Sequence, residues 1–73
     1  MFPSKRVIEK LRVIYPVGTE VELVEMNDPQ APPVGEHGVV KGVDDAGTIM
    51  VSWNCGSSLG VLYDEDVIRK VIK

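Results

Sequence analysis

The chain has 73 residues, one cysteine, one histidine and a net charge of −3. This length suits one small domain, predicted to span residues 1–73, in which folding buries only about 60% of the surface of the unfolded chain. A single cysteine excludes a disulfide framework, and one cysteine with one histidine excludes the common zinc sites, so we expect a cytoplasmic protein with no metal and no other cofactor.

Charge is distributed unevenly along the chain. Residues 16–68 carry ten acids and one base, a net charge of −9, whereas the two ends together carry seven bases and one acid, a net charge of +6. The N-terminal segment is too charged for the apolar region of a signal peptide, and no apolar stretch approaches membrane length. We therefore expect no membrane association.

Residues 4–15 are predicted to form an amphipathic helix. Ser4 is a suitable N-cap, and Pro16 ends the helix because the residue before a proline is disfavoured in the α region. Apolar residues recur at helical spacing and share one face: Val7, Ile8, Leu11, Ile14 and Tyr15. The opposite face is mainly basic, with Lys5, Arg6, Lys10 and Arg12.

Residues 16–73 show the pattern of a small antiparallel sheet. A strand is predicted over 18–26, with a bulge or bend where the alternation slips at Leu23 and Val24. A proline-bearing loop follows over 27–38, then a three-strand meander over 38–63 and a closing strand over 67–72. This order predicts an all-β fold, a five-stranded SH3-like barrel carrying the N-terminal helix.

The alternation of the strands predicts which residues face the barrel interior. Met50 and Leu62 are expected to point outward, where the apolar face of the helix would cover them. The predicted inner face consists of Val21, Leu23, Val40, Val43, Ile49, Val51, Trp53, Leu59 and Val61.

The stretch VSWNCGSSLG, residues 51–60, raises the question of a nucleophile. A reactive Cys55 would need a base, and His37 is the only imidazole, at no spacing that implies contact. Ser57 lacks the G-x-S-x-G turn. A three-residue hairpin tip with Gly56 in the left-handed region explains the stretch better and leaves Cys55 exposed. We predict no catalytic residue and no enzyme activity.

Two acidic turns, 44–45 and 64–66, lack the alternating oxygen ligands of a calcium loop. Aspartate at the start of a turn ordinarily caps local backbone N–H groups, and we expect that role here.

Two sets of residues are candidates for an interaction surface. Trp53 and Tyr63, with Tyr15 and the proline-bearing loop, would suit a peptide groove, although Trp53 also fits a core position at a strand end. The basic side chains Lys5, Arg6, Lys10 and Arg12 would suit nucleic acid, a weaker interpretation because the body of the domain is acidic.

Residues 11–66 resemble a family of small bacterial proteins catalogued as a domain of unknown function, found in Gram-positive bacteria, phages and conjugative elements. The segments MNDPQAPP and VDDAGTIMVSW carry the resemblance. It implies no activity and no catalytic residue. The chain departs from the family pattern at Asn54-Cys55-Gly56, where Asp-Asn-Gly is usual, and at Leu62-Tyr63-Asp64, where an Ile-Pro-Gly-type segment is usual.

We therefore expect a non-catalytic binding or adaptor module that contacts a protein partner and is encoded by a mobile element. One alternative is a nucleic-acid-associated accessory factor acting through the basic helix. Another is an acidic inhibitor that imitates nucleic acid and blocks a host defence nuclease.

Overall fold

The computed structural model describes residues 4–72, which form one helix and five strands. The predicted limits of the domain, residues 1 and 73, lie outside this range. The elements are α1 (Lys5–Ile14), β1 (Glu20–Glu25), β2 (His37–Val43), β3 (Thr48–Trp53), β4 (Val61–Leu62) and β5 (Val67–Lys70). The prediction of a mainly β fold with one N-terminal helix is confirmed.

Helix α1 begins and ends where the local sequence indicates. The Ser4 hydroxyl accepts a hydrogen bond from the Val7 N–H at 3.3 Å, which satisfies one of the unpaired donors of the first turn. At the other end the Tyr15 N–H donates to the Leu11 carbonyl, and Pro16 follows. Ile8 and Leu11 are buried, whereas Ile14, placed on the same face by its spacing, is 39% exposed.

The five strands form one antiparallel sheet in the order β4-β3-β2-β1-β5. Strands β4 and β5 are therefore the two edges, although only residues 63–66 connect them. No ladder joins these edges within residues 4–72, so the sheet is open and its predicted closure into a barrel is not confirmed. Strand β4 is short because the chain before it leaves the ladder: the Leu59 carbonyl accepts from the Trp53 indole N–H instead.

The irregularity predicted near Leu23 is present. The pairing of β1 with β5 shifts register between Leu23 and Glu25, as a β-bulge requires. A second shift, between Val40 and Gly42 in β2, has no counterpart in the sequence prediction. Both shifts increase the local twist and help the sheet to curl around its inner face.

The core lies between the inner face of this curled sheet and α1. Eight of the nine residues predicted to face inward are buried, and Leu59 is half-buried. Ile8 and Leu11 of α1 join the same cluster. The helix therefore covers the inner face, and the expectation that it covers Met50 and Leu62 is wrong: these side chains are 43% and 44% exposed.

The hairpin tip between β3 and the segment before β4 has the predicted geometry. The Gly56 N–H donates to the Trp53 carbonyl at 2.9 Å, and the Trp53 N–H donates to the Ser57 carbonyl at 2.9 Å. Gly56 has φ +97°, which glycine adopts without steric cost, and Cys55 is exposed. This is a tight turn closed by a bulge.

Candidate functional site

Trp53 lies in the core, the alternative position given for it above. It is 2% exposed, and its indole N–H donates to the Leu59 carbonyl at 2.9 Å. Its ring therefore offers no accessible face to a partner, and a peptide groove built on Trp53 is not present in this structure.

Tyr63 is 47% exposed and lies on an apolar groove at the open side of the sheet. The groove has a volume of about 350 Å³ and runs between the C-terminal half of α1 and the edge strands β4 and β5. We call it the seam groove. It is lined by Leu11, Ile14, Tyr15, Ile49, Val61, Tyr63, Asp66, Val67 and Ile68.

The seam groove has almost no charge. Asp66 contributes the only carboxylate, and one of its oxygens, Oδ2, accepts from the Leu62 N–H at 2.8 Å within the turn. At the rim the Lys70 ammonium lies 5.7 Å from the centre of the Tyr15 ring, a cation–π contact. The groove can therefore bury an apolar side chain, but it presents no nucleophile with a neighbouring base.

The four basic residues of the helix divide into two kinds. Nε and Nη2 of Arg12 donate to the Val43 carbonyl at 3.1 and 3.0 Å, and Nη2 also contacts Asp45 Oδ1 at 3.1 Å. Arg12 therefore attaches α1 to the end of β2. Lys5, Arg6 and Lys10 are exposed, and none of them forms an ion pair with another residue in the range 4–72.

An ionic cluster on strands β1, β2 and β5 was not found by the sequence reasoning. The His37 ring places Nδ1 3.0 Å from Glu20 Oε2 and Nε2 3.5 Å from Glu22 Oε1, while Arg69 Nη2 lies 3.0 Å from Glu22 Oε1. The hydrogen bond from Arg69 holds the pKa of Glu22 below its usual value, with His37 contributing in the same direction. The cluster links three adjacent strands.

This cluster also bears on the question raised by Cys55. Both ring nitrogens of His37 face carboxylates of β1, while Cys55 is exposed at a hairpin tip.

The sequence gives only part of the ionic cluster. The alternation of Glu20 and Glu22 indicates that these two side chains share a face of β1, but their register against His37 and Arg69 depends on long-range pairing. Within residues 4–72, no three His, Cys, Asp or Glu residues are arranged to hold a metal ion.

The predicted role of the acidic turns is confirmed at Asp44. Its Oδ1 accepts from the Ala46 N–H at 3.0 Å and from the Thr48 N–H at 2.9 Å. These bonds close the turn between β2 and β3, where a short polar side chain competes well for backbone donors.

In a comparison with protein families, residues 4–71 match the family described as "Domain of unknown function (DUF4314)". The chain belongs to this family. The match confirms the resemblance to a small family of unknown function and includes α1 and all five strands, so every residue lining the seam groove lies within the DUF4314 domain. No curated protein and no solved structure matches the chain.

The part of the chain in the structure, residues 4–72, contains no helix that is both long enough and apolar enough to span a membrane.

Proposed function

We propose that this domain is a non-catalytic module that binds a protein partner, and that the partner inserts an apolar side chain into the seam groove. The supporting observation is the groove itself, which is lined almost entirely by apolar side chains at the open side of the sheet. Under this proposal the partner belongs to the host cell or to the mobile element that encodes the domain.

The rim of the seam groove has the properties of a binding surface. Ile14, Tyr63 and Val67 are exposed next to one another, whereas apolar side chains scattered singly on a surface need no explanation. Burying one aliphatic side chain of a partner would contribute about 1.5–3 kcal/mol. Tyr63 can add contact area and a hydroxyl hydrogen bond, which is why tyrosine is frequent at binding hot spots.

Photo-crosslinking from the groove tests the proposal. A benzophenone amino acid replaces Tyr63 in one variant and Met50 in a matched control, because Met50 is similarly exposed, at 43%, but lies on the outer face of β3. In the source cells, we expect a discrete protein adduct from position 63 and none from position 50. Equal labelling from both positions, or turnover of a substrate that depends on a groove residue, would refute the proposal.

The two alternative functions give different results in related experiments. A nucleic-acid accessory factor would give a salt-sensitive gel shift that is lost on charge reversal of Lys5, Arg6 and Lys10, the three bases of the helix that have no ion pair among residues 4–72. An acidic nuclease inhibitor would give a crosslinked partner that is a basic nuclease. The absence of both results, with a discrete adduct from position 63, favours the protein-binding module.

A further inference from the structure

A second groove lies on the other side of β4. It has a volume of about 300 Å³ and continues, through Leu59 and Gly60, into a depression of about 270 Å³. We call the two together the acidic groove. The first part is lined by Met26, Asn27, Asp28, Thr48, Leu59, Gly60, Leu62, Glu65 and Asp66, and the second part adds Gln30, Ser57 and Ser58.

Every charged side chain on the acidic groove is negative: Asp28, Glu65 and Asp66. None of the three forms an ion pair with another residue of the described range, 4–72. Two of the bases near the ends of the chain pair with other carboxylates, since Arg12 contacts Asp45 and Arg69 contacts Glu22. The negative charge of the acidic groove is therefore uncompensated within the described structure.

The three carboxylates differ in their availability to a ligand. Asp28 Oδ1 accepts from the Gln30 N–H at 2.8 Å, and Asp66 Oδ2 accepts from the Leu62 N–H at 2.8 Å, so each retains one oxygen without a hydrogen bond to residues 4–72. Glu65 accepts no side-chain hydrogen bond within that range and is exposed. Each of the three side chains therefore has at least one carboxylate oxygen that can accept a hydrogen bond from a cation.

The first part of the acidic groove has apolar side chains beside these carboxylates, whereas the second part is lined mainly by Gln30, Ser57 and Ser58. Met26 and Leu59 are half-buried, and Leu62 is exposed. The groove also follows the chain from Ser57 to Leu62, so it is elongated rather than round. Apolar side chains next to carboxylates match a side chain with an aliphatic stem and a positive head, as in lysine and arginine.

From this geometry we infer that the acidic groove binds an extended peptide segment in which a lysine or arginine stands beside an aliphatic residue. The basic head would bond to Glu65, Asp28 and Asp66, and the aliphatic neighbour would pack on Leu59 and Leu62. Nucleic acid does not fit, because its phosphates would meet three carboxylates. The acidic groove shares only Asp66 with the seam groove, and the inference does not depend on the function proposed for the seam groove.

Selection from a phage-displayed library of random octapeptides at low salt tests this inference. We expect enrichment of peptides in which Lys or Arg is adjacent to Leu, Ile or Val. The most enriched peptide, titrated into isotopically labelled domain, should shift the backbone NMR signals of residues 26–30 and 57–66. Its affinity should fall as salt is added, because the contacts with Glu65 are exposed to solvent.

Charge-neutral variants supply the controls. Asp28→Asn with Glu65→Gln should weaken the selected peptide about fivefold or more, the loss expected when one or two exposed ion pairs are removed. Asn keeps the oxygen that accepts from the Gln30 N–H. Glu9→Gln with Glu25→Gln makes the same change in net charge outside the groove and should leave the affinity unchanged. A selection without basic peptides, an equal loss in both double variants, or NMR shifts confined to other residues would overturn the inference.

Discussion

Replacing Arg12 separates two ways in which the helix is held against the sheet. The guanidinium donates twice to the Val43 carbonyl and once to the fully exposed carboxylate of Asp45. A hydrogen bond to a charged group contributes about 1.5–3 kcal/mol, but an exposed ion pair contributes only about 0–1 kcal/mol. Because Arg12 is itself half-exposed, we expect Arg12→Met to lower the free energy of unfolding by about 1–2 kcal/mol. Asp45→Asn should lower it by less than about 0.5 kcal/mol.

The expected loss is measurable because the domain is small. A chain of 73 residues has a free energy of unfolding of about 4–11 kcal/mol, so Arg12→Met removes a sizeable part of it. The melting temperature should fall by about 4–16 °C, since 1 kcal/mol corresponds to roughly 4–8 °C at this size. Met keeps most of the aliphatic stem of Arg, which limits the change in packing.

Urea denaturation followed by the fluorescence of Trp53, in low salt and in 0.5 M NaCl, measures both variants and the double variant. If the carbonyl contact dominates, Arg12→Met has nearly the same effect with and without Asp45, and salt changes little. An Asp45→Asn variant as unstable as Arg12→Met, or a matching loss in the wild type on adding salt, would show that the ion pair holds the helix and that the reasoning is wrong.

Three further changes test other parts of the fold. In Gly38→Ala the new Cβ would lie 2.6 Å from a Val51 methyl and 2.8 Å from the Trp53 ring, so overpacking of about 1–3 kcal/mol should exceed the entropic gain of about 0.4–1 kcal/mol and lower the urea midpoint. Arg69 lowers the pKa of Glu22 in the folded state, so ionised Glu22 stabilises the fold above the ordinary pKa of 4.5, and this contribution is lost as pH falls through the folded pKa. Arg69→Met should therefore flatten the acid side of a plot of melting temperature against pH. Cys55→Ser at the exposed tip should change the free energy of unfolding by less than about 0.5 kcal/mol, and a larger loss would contradict the assignment of Cys55 to a solvent-exposed turn.

Features that depend on a few neighbouring residues could be predicted from the sequence. The Ser4 cap and the glycine of the hairpin tip follow from the conformational preference of single residues, and the bulge after Leu23 follows from a local slip in the apolar alternation. The burial of the inner face also follows, because alternation along a strand assigns every second residue to the same side.

Features that depend on how distant segments meet could not be predicted in this way. The ionic cluster needs the register that places Glu22 beside both His37 and Arg69, and no local pattern specifies a pairing across 47 residues. The side of the sheet covered by the helix was predicted wrongly for a similar reason. Alternation along the strands places Met50 and Leu62 on the outer face, but it does not tell which element, if any, covers them, and in the structure both are exposed.

The charge segregation seen in the sequence has a consequence for association. Each ion pair within residues 4–72 has at least one partner substantially exposed to water, and such pairs contribute little to the free energy of unfolding. Charges without an ion pair in this range include three bases on α1 and the carboxylates of Asp28, Glu65 and Asp66 on the acidic groove, which are available to a partner. Charges of this kind mainly affect the rate and specificity of binding. Salt should therefore weaken the binding of a charged partner much more than it destabilises the fold.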